Sequence, residues 1–256
     1  MRSFWSITGS VLFAGTIGWG GYNIATLLGH SERDEVRQYD AADIHSIDVR
    51  NSAGGVTVIG TDAATAAGTI EVVAHISDGI RSTENKQSVV DGVLRVRASC
   101  PNFGSMWCEA KYTIEVPHAM AVKLRADNDG IHVSDTTGAV DVASDNGSVT
   151  LTGLSGDIVA DSDNGGIRAT HLTSATARLS TDNGTVRVQF DAAPTSVVGR
   201  SDNGGVTVAV PAGDAYNVTT STDNGSTSID VTNDPSSTRS IDIATDNGSL
   251  TVRYND

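Results

Sequence analysis

At 256 residues the chain is long enough for one or two domains, and 31 acidic against 17 basic side chains leave a formal net charge of −14. That balance disfavours nucleic acid as a partner, because phosphate backbones are held by clustered Lys and Arg. Aromatic residues make up only 5% of the chain, so a core has to be filled by Val, Ile, Leu, Ala and Thr, which suits a narrow interior.

Residues 4–29 form an uncharged run of 26 residues, long enough to cross a bilayer as a helix. Arg2 precedes the run, and Glu32, Arg33, Asp34 and Glu35 follow it. By the positive-inside rule the amino terminus is cytoplasmic and the remainder extracellular. Residues 1–30 are therefore expected to be a single-pass transmembrane signal anchor in the cell membrane. A signal peptide cleaved to release a secreted protein is the main alternative, and a buried core helix is the third.

Residues 31–45 are polar and charged, and read as a tether. Beyond them, Ile47 and Val49 precede Asn51-Ser52-Ala53-Gly54, and Val56 and Val58 follow. Alternation with period two predicts strands with one buried face on either side of a corner. Further strands are predicted at 69–76, 92–98 and 111–116, with a polar loop over 77–91. Residues 46–117 thus form an irregular β cap, as the exposed end of a stack requires.

Cys100 and Cys108 are the only cysteines and flank a short loop between two predicted strands. In a chain predicted to lie outside the membrane, they favour a disulfide across a hairpin, contributing about 2–3 kcal/mol. Zinc would need more ligands than stand nearby, and a catalytic thiol has no evident partner. Phe103, Met106 and Trp107 lie in the same loop, either packed beneath the cap or forming a small contact site.

Residues 118–256 are organised by a recurring Asp-Asn-Gly. It begins at Asp145, Asp163, Asp182, Asp202, Asp223 and Asp246, with a near-copy at Asp127-Asn128-Asp129. Successive copies start 18, 18, 19, 20, 21 and 23 residues apart, a period that marks a repeat architecture. Five and three residues before each Asp, and four and six after it, stand apolar residues such as Val140, Val142, Val149 and Leu151. The copy at Asp223 departs, with Thr227 and Ile229 in the later positions. Added length in later copies collects in the fainter turn between repeats, around Pro211-Ala212-Gly213 for example. An all-β parallel β-solenoid (β-helix) of short two-strand rungs is expected. The alternative is an antiparallel β-sandwich of Asn-Gly hairpins, which has the same local periodicity. Recurrence of Ser or Thr just before each Asp (Ser144, Ser162, Thr181, Ser201, Thr222, Thr245) favours stacking by translation.

In a solenoid, equivalent residues stand about 4.8 Å apart. Stacked Asn side chains can then hydrogen-bond along the axis, and Gly is expected to supply positive φ at the corner. Carboxylates at that spacing repel by roughly 1 kcal/mol in water. The column Asp145, Asp163, Asp182, Asp202, Asp223, Asp246 must therefore splay into solvent, bond its own turn's backbone, or bridge through weakly bound Ca²⁺. The spacing matches neither the EF-hand loop nor the nonapeptide Ca²⁺ repeat. No other cofactor is expected.

The six His residues are scattered, and no nucleophile elbow, phosphate loop or His-Glu-x-x-His is present, so catalysis is not expected. The segment 112–117, YTIEVP, followed by repeated Ser/Thr-x-x-Gly-x-Val-x-Val units, resembles a bacterial adhesin β-solenoid family related to the auto-transporter adhesin head (GIN) domain. An upstream cysteine pair and an N-terminal membrane segment are similar to its actinobacterial members. The resemblance covers residues 46–256 and implies a parallel solenoid at the cell envelope, without catalytic residues to carry over. Here Asp-Asn-Gly stands where that family more often has Ser-Gly, so no ligand is carried over either. The expected function is adhesin-like binding or scaffolding, with an envelope glycan or protein as partner. An ectodomain regulating envelope-stress signalling through membrane partners is the alternative, and a polysaccharide-active enzyme is a third reading.

Overall fold

The computed structural model describes residues 31–79, 81–100 and 108–255. The expected membrane anchor at 4–29 lies outside them. No helix among the described residues is long and apolar enough to cross a membrane. The strands, in chain order, begin with β1 (Ser31–Asp40), β2 (Ser46–Asn51), β3 (Val56–Gly60), β4 (Thr69–Asp78), β5 (Glu84–Val90), β6 (Val93–Ser99) and β7 (Glu109–Val116). The repeats follow as β8 (Ala121–Ala126), β9 (Ile131–Ser134), β10 (Val140–Ser144), β11 (Val149–Thr152), β12 (Ile158–Ser162), β13 (Ile167–Leu172), β14 (Thr176–Thr181) and β15 (Val186–Phe190). The last six are β16 (Ser196–Asn203), β17 (Val206–Val210), β18 (Asn217–Asn224), β19 (Thr227–Asp230), β20 (Ser240–Asn247) and β21 (Leu250–Tyr254).

Two sheets hold all of these strands. One has the order β1-β4-β7-β3-β9-β11-β13-β15-β17-β21-β19, the other β18-β20-β16-β14-β12-β10-β8-β2-β6-β5. The strands flanking an Asp-Asn-Gly never pair with each other. β10 lies in one sheet beside β8 and β12, and β11 in the other beside β9 and β13, all parallel. Val140 is in register with Ile158, and Val149 with Ile167, one repeat apart. The hairpin sandwich is thereby excluded: each turn of chain lays one strand in each sheet, a solenoid-like course.

Inward residues of the two sheets meet in one continuous apolar core. Val142, Val149, Leu151, Leu179 and Val186 are fully buried, and their outward neighbours are not. Each such aliphatic side chain contributes about 1.5–3 kcal/mol on burial. The predicted period-two pattern is what puts them there.

The stack does not follow chain order at either end. The rung β2/β3 pairs with β8/β9, while β6/β7, later in sequence, sits outside it. At the other end β16/β17 pairs with β20/β21, and β18/β19 is outermost. The corner of Asp246 therefore lies against that of Asp202, and the copies do not stack in strict chain order. The physical reason is visible in the Asp223 copy. Thr220, Thr227 and Ile229 stand at its core-facing positions, where regular rungs are mostly aliphatic, and they are half-buried or exposed. Burying such hydroxyls between two rungs would cost desolvation, which the end of a stack avoids. The long connections after β17 and β19 carry the chain out past one rung and back.

Two expectations for the N-terminal part are corrected, and one element is added. Residues 31–40 are not a tether but strand β1, antiparallel to β4 over ten residue pairs. Its alternating charges shield an open sheet edge. Within 77–91, β5 pairs antiparallel with β6, its polar sequence also that of an edge strand. A short helix, α1 (Asp62–Ala67), was not evident in the sequence. The Thr61 hydroxyl caps its start by accepting from the Ala64 N–H, and Gly68 ends it at φ 61°.

Candidate functional site

The Asp-Asn-Gly corners stack into one edge of the molecule. Each Asn side chain donates through Nδ2 to the Oδ1 of its neighbour. Asn146 donates to Asn128 at 3.3 Å, Asn164 to Asn146 at 3.0 Å, Asn183 to Asn164 at 3.2 Å and Asn203 to Asn183 at 3.0 Å. The ladder continues from Asn247 to Asn203 at 3.2 Å and ends with Asn224 to Asn247 at 3.1 Å. The expected amide ladder is thus present, in spatial rather than chain order.

The glycine beside each Asn has a different role from the one expected. Positive φ among described glycines occurs at Gly68, Gly92, Gly153 and Gly213, none of them in an Asp-Asn-Gly. A Cβ on Gly165, Gly184 or Gly204 would instead overlap the carbonyl oxygen of Gly147, Gly165 or Gly184 respectively. Glycine is needed because backbones approach closely, not because the corner is left-handed.

The Ser or Thr before each Asp ties the corners together from inside. Ser144 Oγ accepts the Gly147 N–H at 2.9 Å, and Ser162 Oγ accepts the Gly165 N–H at 3.0 Å. Thr181 donates to Gly165 O, Ser201 to Gly184 O and Thr245 to Gly204 O, each at 2.8 Å. In the first rung, buried Asn51 takes this place and donates to Gly54 O and Ala110 O. The recurrence of hydroxyl residues was legible; their bonding across rungs was not.

Asp145, Asp163, Asp182, Asp202, Asp223 and Asp246 are all exposed. None of their carboxylates takes part in a described hydrogen bond, so the column splays into solvent rather than bonding its own turns. Among the described residues, no three His, Cys, Asp or Glu converge on one point as a metal site would. The column presents single carboxylates one rung apart, whereas Ca²⁺ takes six to eight oxygens.

Cys100 and Cys108 form the expected disulfide, with Cα atoms 5.7 Å apart. It does not cross a hairpin. β6 and β7 lie in opposite sheets, so the bond joins the end of β6 in one sheet to the start of β7 in the other. Phe103, Met106 and Trp107 lie outside the described residues. His118 was among the scattered histidines, and the fold gives it two partners. Its Nδ1 bonds Asp135 O at 2.6 Å, and its Nε2 meets Asp62 Oδ1 at 3.1 Å, joining α1 to the turn after β9. The bond to the Asp135 carbonyl, then that to Asp62, raises its pKa against a small opposing effect of burial.

The two outer faces differ sharply in charge. On the sheet containing β10, the strands carry both signs, and several charges are paired across strands. Arg97 meets Asp48 at 2.7 Å, and Lys123 and Arg125 each meet Asp141 at 2.8 Å. Burial pushes the Asp141 carboxyl up, but the bonds from Lys123 and Arg125 outweigh it and hold the group below its ordinary value. The opposite face, from β3 through β9, β11, β13, β15 and β17 to β21, presents no Asp or Glu from its strands. Its central row runs Thr57, His132, Thr150, Arg168, Arg187, Thr207, Thr251 in register. Arg168 and Arg187 are neighbours there, both exposed. Arg187 donates to Thr185 Oγ1 at 2.6 Å, and Arg168 has no described ion pair or hydrogen bond. Like charges directly opposite each other destabilise a strand pair, so this pair costs the fold something. In a chain of net charge −14, a run of seven strands without a carboxylate is the most distinctive surface feature; the carboxylate that reaches it comes from the turn after β15, where Asp191 meets His171 at 3.1 Å. Sequence reasoning missed that run, although it could be counted five residues after each Asp once both faces were assigned.

No protein-family model matches the chain, and no curated protein matches it. Solved structures with a similar course include a protein from Clostridium sporogenes, provisionally described as a cell adhesion protein. It is 11% identical, with 88% of this chain and 100% of that chain covered and a TM-score of 0.40. A protein from Bacteroides fragilis, provisionally described as an adhesin, is 14% identical over 88% of this chain and 98% of its own, with a TM-score of 0.37. Another from Parabacteroides distasonis, described in the same way, is 10% identical over 86% of this chain and 97% of its own, with a TM-score of 0.39.

Proposed function

We propose that the protein is an adhesin-like binding module, a parallel β-solenoid held at the cell envelope by residues 4–29. Its ligand is an extended anionic polysaccharide lying along the face whose seven strands carry no carboxylate. The observation that carries this reading is the contrast between the faces: the strands of one carry both signs, several of them paired, whereas those of the other carry no carboxylate and expose Arg168 and Arg187 between rows of Thr hydroxyls. Arginine engages carboxylates in two parallel hydrogen bonds, and hydroxyls spaced one rung apart suit a repeating polyol. A flat face that repeats every rung favours a polymer over a compact ligand.

The test is retention of the purified chain on immobilised acidic and neutral polysaccharides. Wild type is expected to bind an acidic polysaccharide and to be released by moderate salt. Arg168→Glu should abolish retention, while Arg178→Glu, a reversal of the same size on the opposite face, should leave it intact. Equal loss in both variants, or no retention of wild type on any acidic polysaccharide, overturns the proposal.

A further inference from the structure

Six Asn-Gly pairs in one chain are a chemical liability, since asparagine is among the thermolabile residues and glycine leaves its own backbone nitrogen unobstructed. In deamidation, hydroxide removes the glycine N–H proton and the nitrogen attacks the asparagine Cγ. The new C–N bond closes a five-membered imide as the Cγ–Nδ2 bond breaks. The leaving nitrogen takes a proton from water and departs as ammonia. Water then opens the imide to aspartate or isoaspartate.

The amide ladder opposes the first step at every position it brackets. For Cγ to swing onto the glycine nitrogen, an interior Asn must release at least two side-chain bonds. Asn164, for example, donates to Asn146 at 3.0 Å and accepts from Asn183 at 3.2 Å. Asn224 is different. It donates to Asn247 at 3.1 Å, but its rung is outermost, and its Oδ1 accepts no described hydrogen bond. Access differs in the same sense. Gly225 is exposed, whereas Gly147 and Gly165 are buried and Gly184, Gly204 and Gly248 are half-buried. The N–H of Gly248 is also held by Asn224 O at 3.0 Å, and those of Gly147 and Gly165 by the Ser144 and Ser162 hydroxyls, whereas no described bond holds that of Gly184, Gly204 or Gly225.

We infer that Asn224-Gly225 is the site at which the folded protein deamidates, and that stacking protects the other five pairs. The product carboxylate stands in the same corner as Asp223, adding charge to the acidic column. It removes the amide that joins the last rung to the ladder, so modification loosens that end of the stack.

The experiment is to hold the purified chain at mildly alkaline pH, folded and in denaturant, and follow each pair by peptide mapping. In the folded protein Asn224 should react about tenfold faster than Asn146, Asn164, Asn183, Asn203 and Asn247, the factor that one net hydrogen bond represents. In denaturant the six rates should converge. A bracketed pair that reacts as fast as Asn224 in the folded protein overturns the inference. So does a lead for Asn224 that persists at the same size after unfolding, because it would then belong to local sequence.

Discussion

The rungs at Asp182 and Asp223 have nearly the same corner and different interiors. Thr-Asp-Asn-Gly occurs in both, and both Asn side chains join the ladder. Around Asp182, the inward residues Ala177, Leu179, Val186 and Val188 are at most 3% exposed. Around Asp223, Val218 is 9% exposed, Thr220 and Ile229 are half-buried, and Thr227 is exposed. The corner is needed wherever one rung meets another. Apolar filling is needed only where a rung is covered on both sides.

The sharpest way to break that comparison is to empty equivalent positions. Leu179→Ala should cost about 2–5 kcal/mol by transfer loss and cavity formation. Thr220→Ala, three residues before its own Asp, should stay within about 0.5 kcal/mol. Urea unfolding of both variants measures the difference, and similar losses would show that the outer rung is packed like the inner ones.

A smaller effect is expected at the corners. Gly184→Ala drives a methyl against the Gly165 carbonyl oxygen and should destabilise by about 1–3 kcal/mol. Gly225→Ala meets the Gly248 carbonyl in the same way. Its rung can move outward, however, so its midpoint in urea should fall less than that of Gly184→Ala. A larger fall at Gly225 would contradict the free outer edge.

The smallest effect belongs to the opposite end, where β1, β4 and α1 provide a cap that the Asp223 end lacks. His118 has its folded pKa raised, first by the Asp135 carbonyl and then by Asp62. Its contribution is therefore fully present below the unfolded His value of about 6.5, and is lost as pH rises through the raised folded value. Wild type should melt above His118→Gln in acid, with the gap narrowing as pH increases. A gap independent of pH would mean that the bonds of neutral His118 account for its role.

Much of the solenoid was legible because its determinants are local. Val140, Val142, Val149 and Leu151 declare two strand faces by alternation, and Asn-Gly declares a corner. The hydroxyl recurrence from Ser144 to Thr245 separated stacking from hairpins, although hairpins share the same alternation. Residues 31–40 and 84–90 were misread because these edge strands are mostly polar and lack the regular alternation that identifies buried ones. The corner glycines were assigned the wrong cause, since close approach between backbones many residues apart leaves no local mark.

The sequence alone determined the repeat unit, its inward and outward positions, the stacking Asn column and the cysteine bond. Each depends on residues within about one turn of chain. Only the tertiary structure decided the order of rungs at both ends, and which continuous run of strands lacks carboxylates. Those depend on which sheet edges remain open to solvent and on register between distant strands, and no window along the chain contains either.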